Sequence, residues 1–201
     1  MADYTVIGDA SATILGLLRA EMSDRSDLDV TPAQIRLASP DEIDPESDVR
    51  LSVYLYKISK DGQSGTTGRV RVTDDRYREP PLPLRLRYLL TAYPDQKTES
   101  PVQNQQRTLG FAIQVIHDNA VLTGDTLEGS LESDDSLRVT LHSEATDEVE
   151  DVWESVSDRP IQPSVIYEVG PVTIDSAETA DVSAVTERDV SIEARADDAD
   201  E

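Results

Sequence analysis

Between Pro80-Pro81 and Pro94 the chain alternates strictly, with Leu84, Leu86, Tyr88, Leu90 and Ala92 at one parity and Arg85, Arg87, Leu89, Thr91 and Tyr93 at the other. A period of two is the signature of a β-strand, and prolines at its ends remove no interior ladder hydrogen bond. The second face opens with arginines and closes apolar, which predicts a strand running from a half-exposed margin into a sheet centre covered on both sides. The rest of the ordered chain is expected to pair with this strand or pack on it.

Other stretches follow the same logic. Leu51, Val53 and Leu55 alternate with Tyr54, Tyr56 and Ile58, giving a second strand from Arg50 to Ser59. Leu137–Leu141 and Pro163–Ile174 alternate as further strands, the latter through Val165, Tyr167 and Val169. Thr31 to Leu37 reads as a short edge strand, and Leu122 to Ser136 as a polar, acidic connection. Helical spacing appears three times. Ile14, Leu17, Leu18 and Met22 define a helix from Ala10 to Met22 with Asp9 as its N-cap. Leu109, Ala112, Ile113 and Ile116, widened by Phe111 and Val115, define a helix from Pro101 to His117. Ser100, Pro101 and Gln103 supply a capping-box signature for it, and Asn119 a C-terminal cap. Ala145, Val149, Val152, Trp153 and Val156 define a third, whose first turns carry Glu144, Asp147 and Glu148 at the favourable dipole end. The expected fold is a mixed α/β domain over residues 1–175: one central sheet of Leu51–Ile58, Leu84–Tyr93, Leu137–Leu141 and Ser164–Ile174, flanked by three helices, with Leu90 and Ile113 buried.

Two segments fall outside this pattern. Lys60 to Leu82 holds Gly62, Gly65 and Gly68 and then Arg69, Arg71, Arg76 and Arg78; from Lys60 to Glu79 five basic residues face four acidic ones. A connection of this length inside a compact domain is either disordered or functional. The functional reading is a segment that orders against an acidic partner. From Asp175 onward ten acidic residues face two basic ones, and residues 176–201 read as an extended or disordered acidic arm. Within it Val182, Val185, Val190 and Ile192 keep enough β-branched character to add as a strand to another subunit's sheet.

Charge changes the picture further. The 201 residues carry a net −23, from 41 acidic and 18 basic residues, and lysine occurs only at positions 57, 60 and 97. An acidic, lysine-poor, arginine-retaining surface suits near-saturated salt, where self-repulsion is screened. Nucleic acid is a poor partner for such a chain. There are no cysteines, which excludes disulfides and thiolate chemistry. No apolar run approaches a membrane span and no basic leader opens the chain, so it is expected to remain in the cytosol. His117 and His142 lack the carboxylate spacing of a metal site. No Gly-x-Ser-x-Gly turn nominates a nucleophile, and no Gly-Lys-Ser/Thr follows the glycines, so neither catalysis nor a cofactor is expected.

The order of segments is more specific than any of these. A helix from Ile7 to Met22 precedes Ser39-Pro40, the Leu51-Ser52-Val53-Tyr54-Leu55-Tyr56 strand, and Pro80-Pro81-Leu82-Pro83-Leu84 feeding Tyr88-Leu89-Leu90-Thr91-Ala92-Tyr93. Gln106-Arg107-Thr108-Leu109-Gly110, Ile116-His117-Asp118-Asn119, Val152-Trp153-Glu154 and Pro163-Ser164-Val165-Ile166-Tyr167-Glu168-Val169 follow. From residue 4 to about 175 the chain resembles the cap, or tail-terminator, family of phage-tail-like contractile injection systems. That resemblance implies a structural protein without catalytic residues. It implies a homo-oligomeric, hexameric ring that ends the inner tube and anchors the last sheath layer, with tube and sheath proteins as partners. Assembly would be cytoplasmic, within a particle whose release from the cell is left open. The alternatives are a neck or tail-completion protein of a contractile phage, and a small ligand-binding or enzymatic domain.

With −23 per subunit, a ring concentrates charge of one sign, so folding and ring assembly are predicted to require high salt. Sedimentation at low and multimolar salt checks this, and a ring that persists unchanged at low ionic strength contradicts it.

Overall fold

The computed structural model describes residues 4–23, 25, 28–62, 70–71, 76–131, 135–142, 146–156 and 159–181. The elements are α1 (Val6–Ser23), β1 (Ile35–Leu37), β2 (Leu51–Lys60), β3 (Val70–Arg71), β4 (Arg76–Arg78), β5 (Leu82–Ala92), α2 (Pro101–Asp118), β6 (Val121–Thr123), β7 (Ser136–Leu141), α3 (Thr146–Val156), β8 (Ser164–Ile174) and β9 (Thr179–Asp181). Six strands form a mixed sheet in the order β1-β2-β5-β8-β7-β6, in which only the β1–β2 pair is parallel. β5 lies inside it, hydrogen-bonded to β2 along one side and β8 along the other.

Both faces of β5 are covered, as its alternation predicts. Leu86, Tyr88, Leu90 and Ala92 are buried in the larger core, beneath α1 and α2. Leu89 is buried on the opposite face with Ile166 of β8 and with Val152 and Trp153 of α3. The result is three layers: two helices, the sheet, one helix. Polar groups in these layers find partners: Tyr88 Oη lies 2.8 Å from Ser11 Oγ, and buried Gln105 donates to the carbonyl of Ala92 at 2.7 Å.

The structure corrects the expected details. Ile113 is only half-buried. α2 instead buries Gln105, Thr108, Ala112, Val115 and Ile116, a face rotated toward its polar residues because Gln105 must reach β5. Ser100 makes no side-chain cap, so the expected box is absent; Pro101 does open the helix. Asn119 closes it without a left-handed backbone, its side-chain amide and its N–H both donating to the carbonyl of Val115. Glutamine and glutamate three residues on do reach back elsewhere: Gln34 accepts from Thr31 N–H and Glu42 from Ser39 N–H, each closing a single tight turn. Asp9 lies inside α1 rather than at its cap. Its carboxylate accepts from Thr5 and from both Ser130 Oγ and Ser130 N–H, which hold its pKa below the ordinary value. That contact crowds Gly129, whose φ of +71° already favours glycine. β6 stands within the stretch read as a polar connection.

A bulge at Tyr56 shifts the β2–β5 register between Leu55 and Lys57. Ile58 therefore pairs with Leu86 on the α1/α2 side, not with the face of Tyr54, and Lys57 comes beside Arg87 on the α3 side. There a chain of ion pairs crosses three strands and a helix. Asp61 meets Arg85 Nε at 3.1 Å, and Arg85 meets Glu168 at 2.5 Å. Arg87 joins Glu168 at 3.2 Å to Glu148 of α3 at 2.9 Å, and Lys57 and His142 approach Glu148 at 3.3 and 3.4 Å. Burial raises the pKa of both glutamates, but hydrogen bonds from Arg87 and Lys57 to Glu148, and from Arg85 and Arg87 to Glu168, outweigh it and hold each below the ordinary value. The Tyr56 hydroxyl is buried beside Glu148 without completing a hydrogen bond to it; burial and then the Glu148 charge push its pKa up.

Leu90→Ala is predicted to destabilise the chain by about 2–5 kcal/mol, and Ile113→Ala by distinctly less, since its site is half-open. Thermal melts of both decide this; equal losses would contradict the packing described. The lowered glutamates make a second prediction. Their ion pairs stabilise the fold above the ordinary glutamate value of 4.5 and are lost as pH falls through the lowered folded values. Fluorescence of Trp153, the single tryptophan on α3, is expected to report a steep acid transition that Glu148→Gln flattens. Superimposable pH profiles would show that the network does not hold α3.

Candidate functional site

The chain leaves the large sheet at Lys60 and re-enters it at Leu82. The described part of this excursion is a second, small sheet in the order β3-β4-β9. Val70 and Arg71 pair antiparallel with Arg78 and Tyr77. Arg76, Tyr77 and Arg78 then pair with Asp181, Ala180 and Thr179. The two segments that stood apart in the sequence are thus one structure: the first strand of the arm is a ladder partner of the arginine-bearing loop.

This placement reorganises the predicted site. In a strand pair, opposed residues share a face and successive residues alternate. Arg71 stands opposite Tyr77 and Arg78 opposite Val70 in the register. The ladder brings Arg71, Arg76 and Arg78 into one sheet. In the register Arg76 stands opposite Asp181, an opposite-charge position across the ladder. Arg78 is half-buried, with Nη1 3.8 Å from Asp175 Oδ2, where β8 has just ended. Arg69, Val182, Val185, Val190 and Ile192 lie outside the described residues.

The root of the small sheet is pinned to the large one. Asp61, buried to 2% exposure, donates its N–H to the carbonyl of Pro83 and pairs with Arg85. Through Arg85 it connects to Glu168 and the rest of the ion-pair chain. Sequence reading located Arg85 and Arg87 on one strand face but not their partners. Glu168 stands opposite Arg87 only once the β5–β8 register is known. In that ladder Gly170 approaches the carbonyl of Leu84 so closely that an added Cβ would lie 3.1 Å from it.

Among the described residues no group of three His, Cys, Asp or Glu side chains is arranged to hold a metal, and no helix is long and apolar enough to cross a membrane. His117 is exposed at the end of α2, and His142 adjoins Glu148.

No curated protein matches the chain. Among solved structures, the fold is similar to the sheath/tube terminator of PVC, an extracellular contractile injection system, in its extended state: TM-score 0.60, 18% identity, 98% of this chain and 66% of that one. It is also similar to the tube-terminating cap of the anti-feeding prophage: TM-score 0.53, 20% identity, 91% of this chain and 60% of that one. The chain thus spans less than two thirds of either structure's length. The family model described as the Pvc16 N-terminal domain matches residues 9–188, both sheets included, and the chain belongs to that family.

Proposed function

We propose that this protein is a tail terminator of a contractile injection system: a ring of identical subunits, six by its resemblance to the family, that ends the inner tube and anchors the last sheath layer. The observation that carries the reading is the joint likeness to a sheath/tube terminator and to a tube-terminating cap across nearly the whole chain. The domain's architecture agrees with structural work. Its core is closed, and what it presents outward is a small sheet of loop and arm rooted at Asp61. Loop and arm segments that pair with neighbours are how closed rings lock their subunits. Within a strongly acidic assembly every neighbour offers carboxylates, and bidentate arginine–carboxylate pairs hold better than point contacts. Arg69, Arg71, Arg76 and Arg78 are assigned that role, with Val182, Val185, Val190 and Ile192 as the strand-adding part of the arm.

The β4–β9 ladder refines the truncation that tests this. A chain ending after Asp181 keeps β9; one ending after Asp175 removes it and leaves β4 with β3 alone. Both are predicted to keep the large sheet and its melting temperature, because neither touches its strands. Both are predicted to leave tubes or sheaths of uncontrolled length when assembled with their partners. Replacing Arg69, Arg71, Arg76 and Arg78 together by serine is predicted to weaken the ring with little change in the melting of the domain. Normal particle lengths from all three variants, measured by electron microscopy, would show that the core face does the capping and that loop and arm are passive.

A further inference from the structure

The two outer edges of the six-stranded sheet differ. At β1 the edge is occupied. Gln34 uses its carbonyl to accept from Arg50 N–H toward β2, so by alternation Ile35 turns its carbonyl outward. Arg19 of α1 covers that carbonyl, donating from Nε at 3.1 Å and Nη2 at 2.7 Å. A side chain planted on the outward acceptor blunts the strand against pairing.

The opposite edge is open beyond β6. β6 pairs with β7 only from Ser136 to Arg138, with one further bond from Val139 N–H to the carbonyl of Ala120. His142 N–H points inward, to Ile166 of β8. Leu141, of opposite parity, therefore turns its N–H and carbonyl outward, and among the described residues no strand meets it there. Its side chain is 47% exposed.

Leu141 also separates two clefts on opposite faces of the sheet. On the α2 side, Ile113, Ile116 and Tyr167 line a cleft of about 270 Å³. On the α3 side, Val149, Ile161 and Ile166 line one of about 610 Å³. Leu141 lines both. An unpaired edge between two apolar clefts fits an extended segment: its backbone continues the ladder, and its alternate side chains enter the clefts above and below.

We propose that this edge accepts residues 182–192 of a second copy of the chain as an added strand. The chain continues for 20 residues past Asp181, from 182 to 201. Val182 and Val185 have opposite parity, so one strand directs one into each cleft. The acids Glu187 and Asp189 that follow, of the same parity as Val185, match His117, exposed at the α2-side cleft. Donor and acceptor are different surfaces, so the contact is head-to-tail and generates a ring where the rotation between copies closes. The Arg19-covered edge keeps the strand from pairing at the wrong side. The inference rests on the ring reading of the preceding section and names the surface that the arm meets.

The chain has no cysteine, so engineered pairs read without background. Full-length chains carrying Thr140→Cys are mixed with chains carrying cysteine in turn at Ser183, Ala184 or Val185 and oxidised. At least one donor position is expected to give tenfold more disulfide-linked heterodimer than a control in which exposed Val102→Cys replaces Thr140→Cys. Leu141→Pro deletes the outward N–H, which the ladder to β8 does not use, together with the side chain between the two clefts. It is expected to melt like the parent, to sediment as a monomer, and to abolish the heterodimer when combined with Thr140→Cys. A wild-type ring with no heterodimer from any donor position, or a ring that survives Leu141→Pro, overturns this proposal and leaves the ring reading standing. A disulfide that forms only within a doubly substituted chain also overturns it. A wild-type chain that is monomeric at every salt concentration fails both readings.

Discussion

The burial of β5 on both faces and its pairing on both edges constrain every other element. Leu89 and Leu90 are neighbours in sequence, yet one is buried under α3 and the other under α1 and α2. A strand in that position admits no slip: a shift of one residue would carry Arg85 and Arg87 toward the helix pair and withdraw the leucines from both cores. The prolines at its margins, the glutamine that closes its last carbonyl and the glycine that lets β8 approach it all act to hold one register. The register in turn places the ion-pair chain, since Arg87 finds Glu168 only by being opposite it.

Charge in this protein is distributed unevenly. Most arginines in the described structure meet a carboxylate or a carbonyl within the chain: Arg19 at β1, Arg36 at Asp48, Arg50 at Asp95, Arg85 and Arg87 at the root of the loop, Arg159 at Asp44. Arg50 is 7% exposed and meets Asp95 at 3.1 Å, so that pair stands well shielded from salt. The planar, always-charged fork suits such sites, where a lysine would make one contact at a time. With few basic residues in the chain, their concentration at element junctions lets them act as cross-ties while the acids cover the surface.

The strands and helices were legible because each carries its period over enough residues. What escaped was set by contacts across sequence. Tyr56 looks like a regular strand position, and only the ladder to β5 reveals the bulge that moves Ile58 and Lys57 to opposite faces. Ile113 belongs to the apolar stripe of α2, but the reach of Gln105 to Ala92 rotates the helix away from it. Val121-Leu122-Thr123 is too short to declare a strand beside acidic neighbours, though its β-branched ends were the available signal. The loop and the arm were each marked by composition, but nothing local in either predicts that they pair, because the partners are about a hundred residues apart.

That separation has a consequence for the order in which the protein is made. β4 leaves the ribosome early, but its second partner, β9, follows only after two helices and the rest of the large sheet. At synthesis rates of roughly 5–20 residues per second the delay is on the order of ten seconds. A nascent or prematurely ended chain therefore carries the loop without the strand that completes it. The small sheet is therefore the last part of the described fold to be completed, since β3 and β4 must wait for β9.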